Sequence, residues 1–183
     1  MSRVPEVRPE TMTEAQRSVA QEIVSGPHAR IVGPYHAWLQ SPELARRVRS
    51  LSEFIRFKTS LPPRLSELAI LISGRYWKAE FEYYAHARLA KKAGLEDAVI
   101  AAIATQRRPA FKQRDEEIVY DFCTELYETR RVSDATYQRA LDALGLTAIV
   151  EIVATAGYYS MVSLTLNAFQ VPLPPGEPSP FPD

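Results

Sequence analysis

The sequence predicts an all-α protein built as a single-domain helical bundle, and three observations support this. Apolar residues recur every three or four positions along most of the chain, and no stretch shows the strict alternation typical of a β-strand. Pro, Gly and capping Ser or Thr residues divide the pattern into helix-sized pieces. A chain of 183 residues, 46% of them hydrophobic, suits one sizeable core.

Breaker and capping residues predict where each helix begins and ends. Thr11 or Thr13 is the expected cap of a first helix that ends near Ser25, and Gly33-Pro34 precedes a short second helix. Ser41-Pro42 begins the third helix, whose inward stripe is expected to consist of Leu44, Val48, Leu51 and Phe54 or Ile55. Further helices are predicted over residues 64–77, 79–93, 95–105, 115–129, 134–144 and from Gly145 to about Phe169.

The chain is expected to hold one helical domain over residues 1–170, with a core motif at 61–105, and a tail at 171–183. The tail, VPLPPGEPSPFPD, contains six of the fourteen prolines and is therefore predicted to be extended. We expect it to lie as an arm over a neighbouring subunit, in preference to acting as a ligand for a proline-recognition domain.

Composition narrows the classes of partner. Lys plus Arg and Asp plus Glu both number 22, so the net charge offers no reason to expect binding to nucleic acid. No secretory signal is recognised, and the lone Cys123 has no partner for an internal disulfide, so a cytoplasmic location is expected. His28 and His36 lie in or beside predicted loops, and no metal-ligand cluster or cofactor motif is visible.

The segment 148–166, AIVEIVATAGYYSMVSLTL, carries a single charge, Glu151, and is long and apolar enough to raise the question of a membrane span. Glu151, Gly157, the tyrosine pair and several Ser and Thr residues make it a poor lipid-facing helix. A helix that is apolar nearly all round is better explained by burial within a bundle or between subunits. The sequence therefore predicts self-association and no membrane partner.

The segment AEFEYYAH, residues 79–86, places two ionisable groups on the apolar side of a predicted helix. His86 lies about 40° from Glu82 on a helical wheel, amid small apolar residues. Burial raises the pKa of a carboxylate and lowers that of an unpaired imidazole, which brings both toward the neutral range suited to acid/base catalysis. The pair is thus either a catalytic couple or a polar pair satisfied within a core.

Glu67 and His86, within ELAILISGRYWKAEFEYYAHARLAKKAGL, resemble the signature of the carboxymuconolactone decarboxylase and alkylhydroperoxidase D superfamily. Ala79 and Glu82 occupy the two cysteine positions of the peroxidase pattern, whereas Glu82, His86 and Gly94 meet the spacing of the decarboxylase branch. The flanks GPYHAWLQSPELARR, SLPPRLSELAIL and GYYSMVSLTLNAFQVPLPPG extend the likeness to a cysteine-free subgroup. The resemblance implies the alkylhydroperoxidase D-like bundle, assembled as homotrimers or homohexamers.

The resemblance implies a decarboxylase-like enzyme for a small carboxylated or lactone metabolite, without metal or organic cofactor. His86 is the expected general acid or base, Glu82 its partner, and Glu67 a supporting carboxylate, although Glu67 equally suits a helix start. The expected substrate pocket is walled by Tyr76, Trp77, Tyr83 and Tyr158, with Arg75 a possible carboxylate ligand. A thiol peroxidase and a non-catalytic oligomeric binding protein remain the alternatives.

Overall fold

The computed structural model describes residues 2–27 and 30–181, and every bound and contact below concerns that part of the chain. The prediction of an all-α fold is confirmed, since eight helices and no strand occupy it. The loop position expected for His28 and the last tail residues, 182–183, lie outside the described residues. The helices are α1 (Glu14–Ser25), α2 (Tyr35–Trp38), α3 (Pro42–Phe57), α4 (Pro63–Tyr76), α5 (Glu80–Lys92), α6 (Asp97–Ala104), α7 (Arg114–Thr129) and α8 (Asp134–Ala168).

Local chemistry explains several of these helix ends. Thr13 caps α1 in a capping box: its hydroxyl accepts from the Gln16 amide at 3.2 Å, and the Gln16 side chain accepts from the Thr13 amide at 2.9 Å. Pro42 and Pro63 stand at the first positions of α3 and α4, where no amide hydrogen is needed. Gly145 has a φ of 80° and interrupts α8, which therefore consists of segments 134–144 and 146–168. This agrees with the helix end predicted at Gly145.

Helix α4 is the centre of the bundle and packs against α5, α7 and α8. Its predicted inward residues are buried: Leu65, Leu68, Ala69 and Ile72. Two apolar clusters meet around it. The first core joins α4, α5, α6, α7 and the start of α8, and the second core joins α1, α2, α3 and the end of α8. A seam between two cores is therefore present along α4, α5 and α8.

Helix α3 turns a different side inward from the one predicted. Its buried residues are Ala45, Val48, Ser52 and Ile55, so the prediction is confirmed for Val48 and Ile55. Leu44, Leu51 and Phe54 are exposed instead, at 44%, 46% and 43%. The inward side contains the small residues Ala45 and Ser52, which allow close packing on the neighbouring helices, and the larger residues face outward.

Segment 146–168 of α8 is apolar but only partly covered. By length and composition alone α8 could cross a membrane, with a mean hydropathy of 1.6, yet core helices of soluble proteins meet the same test. Its charged residue, Glu151, is buried and accepts hydrogen bonds from the amide and hydroxyl of Ser60 at 2.8 and 2.6 Å. Four large aliphatic side chains of segment 146–168 face outward: Leu146, Val150, Val153 and Leu164. With Leu51 and Phe54 of α3 they are called here the outer apolar side chains.

The tail has no helix or strand over 171–181 and packs against its own chain. Glu177 accepts hydrogen bonds from Tyr84 at 2.8 Å and Arg88 at 3.0 Å, both on the outer side of α5. Phe181 contacts the ring of Tyr83, with 5.0 Å between the ring centroids. The arm expected to cover a neighbouring subunit is thus held by α5 within one chain.

Tyr127 of α7 ties three helices together through one buried hydroxyl. Its oxygen lies 2.7 Å from the hydroxyl of Ser73 on α4 and 2.9 Å from the carbonyl oxygen of Ala156 on α8. Removal of this hydroxyl breaks the links between the three helices, although Ser73 still donates to the carbonyl oxygen of Ala69 and the carbonyl oxygen of Ala156 still accepts from Ser160.

We expect Tyr127→Phe to lower the free energy of unfolding by about 1 to 2 kcal/mol, since a buried hydrogen bond is lost without loss of ring packing. Urea denaturation followed by circular dichroism measures the change. Tyr137→Phe is the matched control, because Tyr137 is 38% exposed. Equal midpoints for both variants would contradict the role given to Tyr127.

Candidate active site

The turn between α4 and α5 brings Glu67 close to His86. Lys78 adopts a φ of 50°, and the amide of Ala79 donates to the carbonyl oxygen of Gly74 at 2.8 Å, so the chain reverses tightly. Glu82 and His86 lie on the buried side of α5, only 4% and 6% exposed, as the wheel predicts. Two antiparallel helices thereby present three ionisable groups to one another.

His86 lies between two carboxylates. Its Nδ1 is 2.6 Å from Oε2 of Glu67, at hydrogen-bond distance, and its Nε2 is 2.9 Å from Oε1 of Glu82. The second contact has the distance of an ion pair without the alignment of a hydrogen bond, so Oε1 of Glu82 has no well-directed hydrogen-bond partner among the described residues. Glu67 therefore orients the ring, while Oε1 of Glu82 can still accept a hydrogen bond.

The two carboxylates reverse the pKa shift that burial alone would give His86. Burial lowers the pKa of this imidazole, but the charges of Glu82 and Glu67 and their contacts with the ring outweigh burial and raise it from 6.5 to about 9. The lower pKa that burial would give an unpaired imidazole is therefore not found, because the His86 ring contacts two carboxylates. His86 is consequently an imidazolium at neutral pH.

A cavity of about 140 Å³ opens beside this pair, at the seam between the two cores. Glu82 and His86 form part of its wall, and Tyr158 and Tyr159 of α8 form another part. The ring of Tyr159 meets that of His86 edge-on, with 5.1 Å between centroids. An apolar cavity of roughly 150 Å³ accepts benzene, so this one suits a molecule of about one ring.

Three of the four aromatic residues expected in the pocket wall lie elsewhere; Tyr158 alone lines the cavity. Tyr83 belongs to the first core and donates to the carbonyl oxygen of Ile100, because it lies one helical step round α5 from Glu82. Trp77 donates to Ser160, and Tyr76 stacks on Tyr127 at the far end of α4. Arg75, the carboxylate ligand considered from the sequence, donates to the carbonyl oxygen of Ala104.

Several cavity residues were not predicted as such: Tyr35, Trp38, Ser52, Arg56, Phe81 and Tyr159. Ser52 and Arg56 are four residues apart on α3, and this spacing on one helix side was the available signal. It was obscured because Leu51 and Phe54 made the opposite side of α3 look like the core side. Contact between α2 and the distant end of α8 has no signal in a single sequence.

Cys123 is fully buried in the first core and is not among the cavity residues. Burial raises the pKa of its thiol to about 12, so the reactive thiolate is scarce at neutral pH. Among the described residues no group of three or more His, Cys, Asp or Glu side chains is arranged to hold a metal ion.

Residues 42–113, which include Glu67, Glu82 and His86, match the model of the carboxymuconolactone decarboxylase family. The fold is similar to the crystal structure of a protein of unknown function from Agrobacterium tumefaciens, suggested there to be the antioxidant defence protein AhpD. That likeness has a TM-score of 0.68 over 75% of this chain and 95% of the other, at 16% identity. No curated protein matches the chain. The chain is thus similar to the carboxymuconolactone decarboxylase family over residues 42–113, and it shares its fold with the alkylhydroperoxidase D-like neighbour.

Proposed function

We propose that the protein is an enzyme that performs general acid/base chemistry on a small carboxylated or lactone metabolite, by decarboxylation, isomerisation or ring opening. The observation that carries the proposal is the contact of 2.9 Å between Nε2 of His86 and Oε1 of Glu82 in the cavity wall. A proton donor and a proton acceptor stand side by side there, in a place where water is largely excluded.

Each of the three residues has a distinct role in this mechanism. Glu67 accepts the Nδ1 proton of His86, which fixes the ring and stabilises its charge. The protonated His86 then acts as the general acid through Nε2. Glu82 accepts a proton from the substrate or returns one to His86, because its Oε1 has an unfilled acceptor position.

The same pair accounts for each of the three reaction types. In decarboxylation, the bond to the leaving carbon dioxide breaks, its electron pair passes into a conjugated carbonyl group, and His86 delivers a proton to the carbon. In isomerisation, Glu82 removes a proton from one carbon and His86 protonates another. In ring opening by elimination, Glu82 removes a proton from the carbon next to the one that bears the ring oxygen, a C=C bond forms as the C–O bond breaks, and His86 protonates the released carboxylate oxygen.

The peroxidase alternative lacks the groups that its chemistry needs. A thiol peroxidase requires a thiolate that attacks the peroxide and a second thiol that resolves the product. Ala79 and Glu82 stand at the corresponding motif positions, and the thiol of Cys123 is buried in the first core. A non-catalytic binding protein is the other alternative, and loss of turnover in the variants below separates it from an enzyme.

We expect His86→Gln and Glu82→Gln each to reduce kcat by roughly 10²-fold to 10⁴-fold, the usual contribution of a general acid or base. The measurement is turnover of a substrate first identified by incubating the wild-type protein with a panel of small lactones and unsaturated carboxylic acids. Glu80→Gln is the control, since this carboxylate of α5 is exposed and bonds Ser179 of the tail. Full activity in both test variants would refute the assigned site.

The raised pKa of His86 also predicts how stability depends on pH. In the unfolded chain the imidazole releases its proton near pH 6.5, whereas in the folded protein it keeps the proton up to about pH 9. The stabilisation by the bound proton is complete below pH 6.5 and is lost as the pH rises through about 9.

We therefore expect the free energy of unfolding of the wild-type protein to fall by up to about 3 kcal/mol between these pH values. Urea titrations at a series of pH values measure this. In His86→Gln the fall is absent, and in Glu67→Gln it is smaller because one carboxylate is removed. A wild-type profile parallel to that of His86→Gln would show that His86 is not held protonated.

We further propose that the protein self-associates through its outer apolar side chains, as the expected homotrimer or homohexamer. Leu51 and Phe54 of α3 and Val150 of α8 are exposed in the single chain, Val150 by 59%. A groove of about 380 Å³ runs between Phe54, Leu146 and Val150. A second copy of the same chain is the occupant that the superfamily resemblance implies.

We expect Val150→Asp to shift the protein to a smaller oligomer or a monomer, because a charge is costly in an apolar interface. Size-exclusion chromatography with light scattering gives the mass. Val24→Asp serves as control, since Val24 is 50% exposed on α1, away from these side chains. A mass that is the same in wild type and Val150→Asp would exclude this surface.

A further inference from the structure

The catalytic cavity contains a positive side chain, Arg56, as well as the carboxylate of Glu82. Tyr158 and Tyr159 lie within electrostatic reach of both. Burial is the main cause that raises the pKa of each tyrosine, the charge of Glu82 raises it further, and the charge of Arg56 opposes this. The cavity is thus bounded by the carboxylate of Glu82 and by two arginines, of which Arg56 is half-buried and Arg30 is exposed, and the rings of Tyr158 and Tyr159 form part of the wall.

Arg56 has no carboxylate at ion-pair distance among the described residues. Some other arginines of the described residues are paired with carboxylates, for example Arg49 with Glu53 and Arg64 with Asp115. Glu53, one turn before Arg56 on α3, binds Arg49 at 3.3 Å and Lys58 at 2.7 Å. The guanidinium of Arg56 instead rests on the ring of Phe57, 5.1 Å from its centroid. Its five N–H donors therefore keep capacity for an anion.

The neighbours of Arg56 complete a polar end of the cavity. Ser52 lies one turn earlier on the same side of α3 and is 3% exposed. Tyr35 and Tyr158, which also carry hydroxyl groups, line the same cavity. Apart from the Glu82 and His86 pair, the polar residues of the cavity wall are Ser52, the tyrosines, Arg56 and the exposed Arg30.

We propose that Arg56 binds a carboxylate of the substrate and that this carboxylate is not the group that reacts. The inference rests on the proposed function and adds the recognition of the substrate to it. A guanidinium pairs with a planar carboxylate through two parallel hydrogen bonds, which fixes its orientation. With the carboxylate at Arg56, the rest of a one-ring molecule extends between the tyrosines toward His86.

The charge of Arg56 decides which part of the molecule reacts. In a decarboxylation, negative charge leaves the carboxylate and moves to the carbon and its carbonyl group. An arginine bound to that carboxylate stabilises the ground state more than the transition state, and so slows the reaction. A monocarboxylate held at Arg56 is therefore isomerised or ring-opened, and a substrate that loses carbon dioxide carries a second carboxylate near His86.

The test compares benzoate with its neutral analogue benzamide, which have one ring each and nearly the same shape. Isothermal titration calorimetry measures both against the wild type, Arg56→Gln, Arg56→Lys and Arg47→Gln. Arg47 is the matched control, since it lies on α3, pairs with Glu43 and is 77% exposed. Circular dichroism confirms that each variant is folded.

We expect Arg56→Gln to weaken benzoate binding by roughly 10-fold to 100-fold, the value of hydrogen bonds to a charged group. We expect Arg56→Lys to weaken benzoate binding less than Arg56→Gln does, because an ammonium keeps the charge but cannot form two parallel hydrogen bonds with a carboxylate. Arg47→Gln leaves benzoate binding unchanged, and benzamide binding is the same in all four proteins. Benzoate affinity unaffected by Arg56→Gln, or no binding of benzoate to the wild type at millimolar concentration, would overturn the proposal.

The outcome is separable from that of the proposed function. His86→Gln retains the residues that hold the carboxylate, so benzoate binding that still depends on Arg56 in this background supports the recognition site even where no turnover is found. Conversely, turnover that is lost in His86→Gln but keeps its wild-type kcat and KM in Arg56→Gln overturns the recognition site and leaves the acid/base pair in place.

Discussion

The buried contact of His86 with Glu67 and Glu82 is the constraint on which the rest of the structure depends. Three ionisable groups lie where water is largely excluded, and a single buried charge costs several kcal/mol when it is unpaired. The arrangement is tolerated because each nitrogen of the ring faces a carboxylate, at 2.6 and 2.9 Å. The turn at Lys78 and the position of α4 between the two cores keep both helices in the register that these contacts need.

The same contact distinguishes this site from the thiol pattern of the peroxidase motif that residues 67–86 resemble. Helices α4 and α5 provide a buried site with an oriented histidine, and the residues next to that histidine determine which reactive groups are present there. A carboxylate at Glu82 changes the protonation of His86, whereas a thiol at this position would add a nucleophile. A superfamily label alone therefore does not transfer an activity to this protein.

The sequence was sufficient to predict where the helices lie, including the interruption at Gly145, the Thr13 cap of α1 and the placement of Glu82 and His86 on the buried side of α5, because local periodicity determines these. It was not sufficient for the cavity wall. Ser52 and Arg56 lie on the less hydrophobic side of α3. That side faces inward, where small residues such as Ser52 allow close packing, and the larger Leu51 and Phe54 face outward. Tyr83 differs from Glu82 by one step round the helix, and only the packing of α5 decides which neighbour meets the site. The meeting of distant elements in one cavity wall, such as Arg56 of α3 and the tyrosines of α8, cannot be deduced from periodicity.

Helix α5 is in contact with other parts of the chain on two sides. Its inner side carries Glu82 and His86, and its outer side carries Tyr84 and Arg88, which bind Glu177 of the tail. A substitution on the inner side changes the surroundings of the buried imidazole, whereas a substitution on the outer side changes how the tail is attached, so the two sides of this short helix can be altered separately.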